Sequence, residues 1–190
     1  MSKMTFSVLL LGMGWMLIQS CKTKQVQPTE DFSFKHYQSI TLDHGDSLVK
    51  FHISENPEDI ETDFSKDYYW FKVDRIGHSQ GQYTGKLLDG SYEVIDQKDK
   101  SLMRKGEFTE GLQSGQWIEW YPGGEVIRAA YEYAEGEKEG SFLKQNPTGS
   151  PLMKGSYSKD QLNGKVDYYQ SDTLQWTIRY RMGVPQDTIQ

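Results

Sequence analysis

Past residue 80 the chain repeats itself every 24 to 25 residues. Gly90, Gly115, Gly140 and Gly164 head successive copies. Two residues after each stand Tyr92, Trp117, Phe142 and Val166, and further on come Leu102, Ile127, Leu152 and Trp176. A fourth column, Tyr83, Phe108, Tyr133 and Tyr157, keeps the same spacing. A fixed period of this length means one supersecondary unit stacked on its neighbours, each burying what the next exposes. Such a chain spreads its residues along a line, which suits an extended partner better than a sequestered reaction centre.

Within a unit the residues read as two short strands and two turns. Gly115–Tyr121 is one strand, Pro122-Gly123-Gly124 a turn in which Pro sets φ and Gly tolerates positive φ, and Glu125–Tyr133 the return strand. Ala134–Gly140 closes back, and Lys98-Asp99, Thr148-Gly149 and Asp172-Thr173 are turns in register with Gly123-Gly124. No helical period is visible after the N-terminal segment. The expected fold is all-β, an elongated antiparallel meander with one hairpin per repeat. A partial copy begins near residue 68, because Trp70 stands 50 residues before Trp120 and Gly81-Gln82-Tyr83 stands 25 before Gly106-Glu107-Phe108. Aromatics are 13% of the chain against 36% hydrophobic residues in all, the balance of a thin sheet whose core is made of rings.

The segments 106–126 (GEFTEGLQSGQWIEWYPGGEV) and 155–170 (GSYSKDQLNGKVDYYQ) carry Gly, aromatic, turn Gly, Gly-x-Trp and Tyr in sequence. This pattern resembles the MORN-repeat variant family over roughly Tyr68 to Gly183. The copy starting at Ala130 lacks its first Gly, and the copy at Gly155 has Val166 for the aromatic and Asp172-Thr173 for the turn glycine. The resemblance implies a single-layer β-sheet that binds or scaffolds, with no shared catalytic residue. The antitoxin label of some members does not transfer on repeats alone.

The N-terminus has the makeup of a targeting segment. Lys3 precedes the uncharged run Thr5–Ile18, which ends in Ile18-Gln19-Ser20-Cys21 and gives way to the polar stretch Lys22–Glu30. This resembles a bacterial lipoprotein signal with its lipobox, and Cys21, the sole cysteine, stands where lipidation needs a thiol. The expected organisation is a signal over 1–20 and a polar tether over 21–34. An N-terminal hairpin region covers 35–67, the repeat array 68–183, and a tail 184–190. In the hairpin region Tyr37–Leu42 and Ser47–Ile53 alternate around Asp43-His44-Gly45-Asp46, and the acidic stretch Asn56–Asp67 follows as a loop or a short helical turn. The expected location is the cell envelope, lipid-anchored to a bacterial membrane, the outer one in a Gram-negative cell.

The motifs of catalysis are thin. His36, His44, His52 and His78 lack zinc-site spacing and no second cysteine is available, so no metal or other cofactor is expected. Glu107 recurs as Glu132 and Glu110 as Glu135, which is how a solvated repeat face reads, whereas an acid–base pair needs unlike environments. A net charge of −6 opposes nucleic acid, which calls for a basic stripe. Aromatics are the exception. Strand alternation puts Tyr92, Trp117, Phe142 and Val166 on a core face and Ile95, Trp120, Gln145 and Tyr169 on the other. Trp70, Trp120 and Tyr169 are therefore the candidate binding surface. The expected function is non-catalytic: a surface for a protein partner, or alternatively a platform on which exposed rings stack against a glycan.

Overall fold

Two kinds of turn recur along this chain, and between them they set a sheet. The computed structural model describes residues 37–54 and 60–189. Its strands are β1 (Tyr37–Asp43), β2 (Ser47–Ser54), β3 (Asp67–Lys72), β4 (Arg75–Gln80), β5 (Lys86–Asp96), β6 (Leu102–Thr109), β7 (Leu112–Trp120), β8 (Ile127–Ala134), β9 (Glu137–Gln145), β10 (Pro151–Ser158), β11 (Gln161–Leu162), β12 (Gly164–Gln170), β13 (Thr173–Arg181) and β14 (Val184–Ile189). At one edge the loops after β5 and β9 are led by an Asx side chain, while Ser171-Asp172 after β12 is a two-residue turn (φ 48° and 64°). Asp96 Oδ1 accepts from Lys98 N at 2.7 Å, and Asn146 Oδ1 from Thr148 N and Ser150 N at 3.0 Å each. At the other edge are two-residue turns with both centres left-handed: Glu110-Gly111 (φ 51° and 83°), Glu135-Gly136 (50° and 86°) and Met182-Gly183 (46° and 78°). That geometry matches the right-handed strand twist and so favours antiparallel hairpins.

The expected all-β meander is what forms: an open antiparallel sheet in the order β1-β2-β5-β6-β7-β8-β9-β10-β12-β13-β14, with β11 on β10. The connection Ala134–Gly140 is tighter than the sequence suggested, because Glu135-Gly136 suffice for the turn and Glu137 already begins β9. Residues 184–189 are a strand paired to β13 rather than a free tail. The β3–β4 hairpin leaves the path. It joins only the start of β5, through Trp70↔Leu87 and Phe71↔Lys86, and folds over one face of β2, β5 and β6.

The period is written into two recurring irregularities. Each forward strand bends at its heading glycine: Gly90 (φ 102°), Gly115 (63°), Gly140 (101°) and Gly164 (91°), conformations costly to a residue with a Cβ. Each return strand carries one unpaired residue: Met103, Arg128, Leu152 and Gln175 are skipped between consecutive pairs. Such bulges bend a strand and increase its twist, and here they do so once per copy.

A single layer must cover its own face. Register places Phe51 opposite Tyr92, Tyr92 opposite Gly106, Trp117 opposite Tyr131, Tyr131 opposite Phe142, Phe142 opposite Gly155, and Val166 opposite Ile178. Rings lie across the glycines: Trp117 over Gly106 and, in the hairpin, Trp70 over Gly77. Where the array has Tyr131 instead of glycine, its ring stacks beside Phe142 at 6.4 Å and 20°. The true core gathers at the N-terminal end, where Val49, Phe51, Ile53, Leu88, Phe108 and Trp117 are buried and Tyr69, Phe71 and Ile76 of the hairpin close over them.

One ion-pair cluster ties three strands. Glu119 of β7 accepts from Arg104 of β6 and Arg128 of β8, both at 2.6 Å. Burial alone would raise its carboxyl, but the two guanidinium groups outweigh it and hold the group below its ordinary value of 4.5. A depressed folded pKa stabilises the protein above the unfolded value, and that contribution fades as pH falls through the folded one. Glu119→Gln is therefore expected to lower the urea midpoint near neutral pH, with the gap to wild type closing near pH ~3. An equal gap at both values would show that the charge on Glu119 does not contribute.

Candidate functional site

The ladder face is the place where the protein runs out of cover. Rings continue along it without a break from the hairpin: Tyr69 to Phe108 at 5.0 Å, Phe108 to Trp117 at 5.0 Å, Trp117 to Tyr133 at 6.0 Å, Tyr133 to Tyr131 at 6.5 Å, and Tyr131 to Tyr157 at 6.3 Å. Beyond them Tyr168 stacks on Trp176 at 6.1 Å and meets the Tyr180 hydroxyl at 2.8 Å. Phe142 and Val166 are buried on this face, while the rings around them stay partly open to solvent. Tyr131, Tyr157, Tyr168 and Tyr180 are half-buried, and Trp176 is 45% exposed.

The chemistry of this face is that of neutral phenols around one cation. Burial, then Asp160, pushes the Tyr133 phenol up to about 12. Burial likewise raises Tyr131 and Tyr157, and burial with the Tyr180 hydrogen bond raises Tyr168. Lys138 Nζ stands 5.1 Å from the Tyr131 ring centre and 5.5 Å from that of Tyr157, a cation shared between two π faces. The surface is therefore apolar, aromatic and rimmed by hydroxyl groups at neutral pH.

The three aromatics singled out in the sequence do not come together. Trp70 is engaged inside the β3–β4 hairpin, with its ring over Gly77 and its Nε1 donating to Ser79 Oγ at 2.9 Å. Trp120 lies at the end of β7 beside a shallow depression of about 350 Å³ shared with Val94, Met103 and the Glu119 cluster. Tyr169 is on β12, four strands from β7 by way of β8, β9 and β10, and Lys154 Nζ sits 5.0 Å from its ring. In the sequence the ladder's columns read as core, whereas in the structure several of their rings are only half-buried. The signal was present in Tyr133 and Tyr157, large rings at a position that a single layer has no second layer to bury.

Other sequence candidates resolve individually. His52 Nδ1 is 2.8 Å from Ser91 Oγ, His78 stacks on Tyr69 at 5.5 Å, and His44 is exposed in its turn. Among the described residues no cluster of His, Cys, Asp and Glu could hold a metal ion. Glu107, Glu110, Glu132 and Glu135 are all exposed, and Glu135 pairs with Lys66 at 2.5 Å. Cys21 and His36 lie outside the described residues. Compared with protein-family models, curated proteins and solved structures, the chain matches none.

Proposed function

We propose that this is a non-catalytic envelope protein, lipid-anchored through Cys21, whose MORN-like sheet docks another protein on its open aromatic face. One observation carries the reading. The same face, with the same columns, is covered by the protein's own β3–β4 hairpin at its N-terminal end, whereas over β8–β13 no strand among the described residues folds back on it and the Lys138 side chain alone is seen across Tyr131 and Tyr157. The hairpin shows what such a cover looks like: two short strands laying Tyr69, Phe71 and Ile76 onto rings. A partner offering a comparable apolar strand pair would bury Tyr157, Tyr168 and Trp176, the ring types that dominate interface energies. The lipid anchor rests on the sequence around Cys21.

A photo-crosslinking residue at position 176 tests this in the native envelope. We expect a discrete protein adduct in the membrane fraction, none from position 165 on the opposite face, and release from the membrane on Cys21→Ser. Trp176→Ala should weaken the partner by about 2 kcal/mol or more. Equal adducts from both faces, or none, would sink the docking surface. The near-parallel Tyr168–Trp176 pair, 29° apart, favours a second reading in which the rings stack on a sugar. Glycan binding abolished by Trp176→Ala, with no protein adduct, would replace the first reading with the second.

A further inference from the structure

A small cavity of about 180 Å³ lies between the β3–β4 hairpin and the sheet, apart from the open face. Its apolar walls are Val49, Ile76 and Phe108. Every polar side chain lining it can donate a hydrogen bond: Arg75, Arg104, the phenols of Tyr69 and Tyr92, and the amide of Gln113, with His44 at the turn. No carboxylate lines it, in a chain with 27 acidic residues against 21 basic ones. Arg104 shares Glu119 with Arg128, but Arg75 and the side-chain polar groups of Tyr69, Tyr92 and Gln113 have no hydrogen-bond partner among the described residues. Trp117 closes the wall, 4% exposed, and its indole N–H meets no acceptor there either. Of the side-chain donors lining the cavity, the Trp117 indole N–H is the one both buried and unpartnered, the others reaching solvent, and an unmet buried N–H calls for an acceptor beside it.

We propose that this cavity binds a compact carboxylate carried on a six-membered ring. The charge follows from the donor set, since two guanidinium groups and an indole N–H match an anionic oxygen pair and have no use for a cation. The size follows from the volume, since an apolar cavity of roughly 150 Å³ accepts a benzene ring. Both phenols remain protonated donors near neutral pH, because burial raises each of them; Asp67 adds to this at Tyr69, while Arg104 opposes it at both. The acid could carry an aromatic ring or a sugar ring, so the probes are benzoate and glucuronate, with benzyl alcohol as a neutral analogue of the first.

The indole N–H resonance of Trp117, identified by its loss in Trp117→Phe, reports occupancy directly. Millimolar benzoate or glucuronate should shift it, and whichever does so at lower concentration names the source of the acid. Arg75 is exposed at the hairpin turn and outside every ion pair among the described residues, so Arg75→Gln should leave the unfolding midpoint unchanged. It should weaken the acid roughly tenfold or more. The proposal fails if neither acid moves the resonance. It fails equally if benzyl alcohol moves it as well as benzoate, or if Arg75→Gln binds like wild type.

Discussion

Trp117→Ala is expected to destabilise the protein by about 3–5 kcal/mol, a large part of the 5–15 kcal/mol that holds a typical domain together. Trp117 is the last member of the N-terminal core and the first ring of the open face. Its indole touches Tyr92 at 5.5 Å, Phe108 at 5.0 Å and Tyr133 at 6.0 Å, and it lies flat on Gly106. Removing it withdraws support from rings on three strands at once and enlarges the cavity already present under the β3–β4 hairpin. Trp117→Phe keeps a ring and deletes the unmet N–H, so it should recover more than half of the loss. Urea unfolding followed by circular dichroism measures both. A loss below about 1 kcal/mol for the alanine variant would mean that the rings close over the gap unaided.

Gly106→Ala is expected to cost about 1–3 kcal/mol or more, for a reason unlike that of the heading glycines. Gly106 has ordinary strand dihedrals, but a Cβ there would overlap the six-membered ring of Trp117. Gly115 is the reverse case: at φ 63° its backbone resists a side chain, while the space around it is empty. Gly115→Ala should therefore cost only about 1 kcal/mol. A double-mutant cycle separates the two causes. Combined with Trp117→Ala, the Gly106→Ala penalty should largely vanish, because its clash partner is gone, whereas the Gly115→Ala penalty should persist. Additive costs in both cycles would show that the ring does not constrain Gly106.

Much of this fold is legible in the sequence, because a repeat states each local rule several times. The glycine column announces the bends, the aromatic column two residues on announces the ladder, and Asp96 and Asn146 announce their loops. What escapes is decided at long range. Trp70 keeps the repeat's spacing, yet β3 and β4 lie on the sheet instead of extending it, through pairs such as Trp70↔Leu87 and the Tyr69 N to Gly111 O hydrogen bond at 2.8 Å. The bulges at Met103, Arg128, Leu152 and Gln175 escape too, since alternation read along Trp117–Tyr121 assumes an unbroken period of two. β14 reads as a tail because Val184–Thr188 is exposed and needs no apolar pattern. The open face is half legible: the aromatic columns stand out in the sequence, but only the strand order shows which of them no hairpin covers.

The paired irregularities, one bend and one skipped residue per copy, also limit how such a chain can change length. Deleting a single residue inside β7 or β8 would turn every later side chain to the wrong face until the next bulge absorbed the error. Deleting or duplicating a whole 24–25-residue copy would leave every downstream face as it was. Insertions and deletions in this array are therefore quantised, and its reach can be lengthened by one strand pair at a time without redesigning either end.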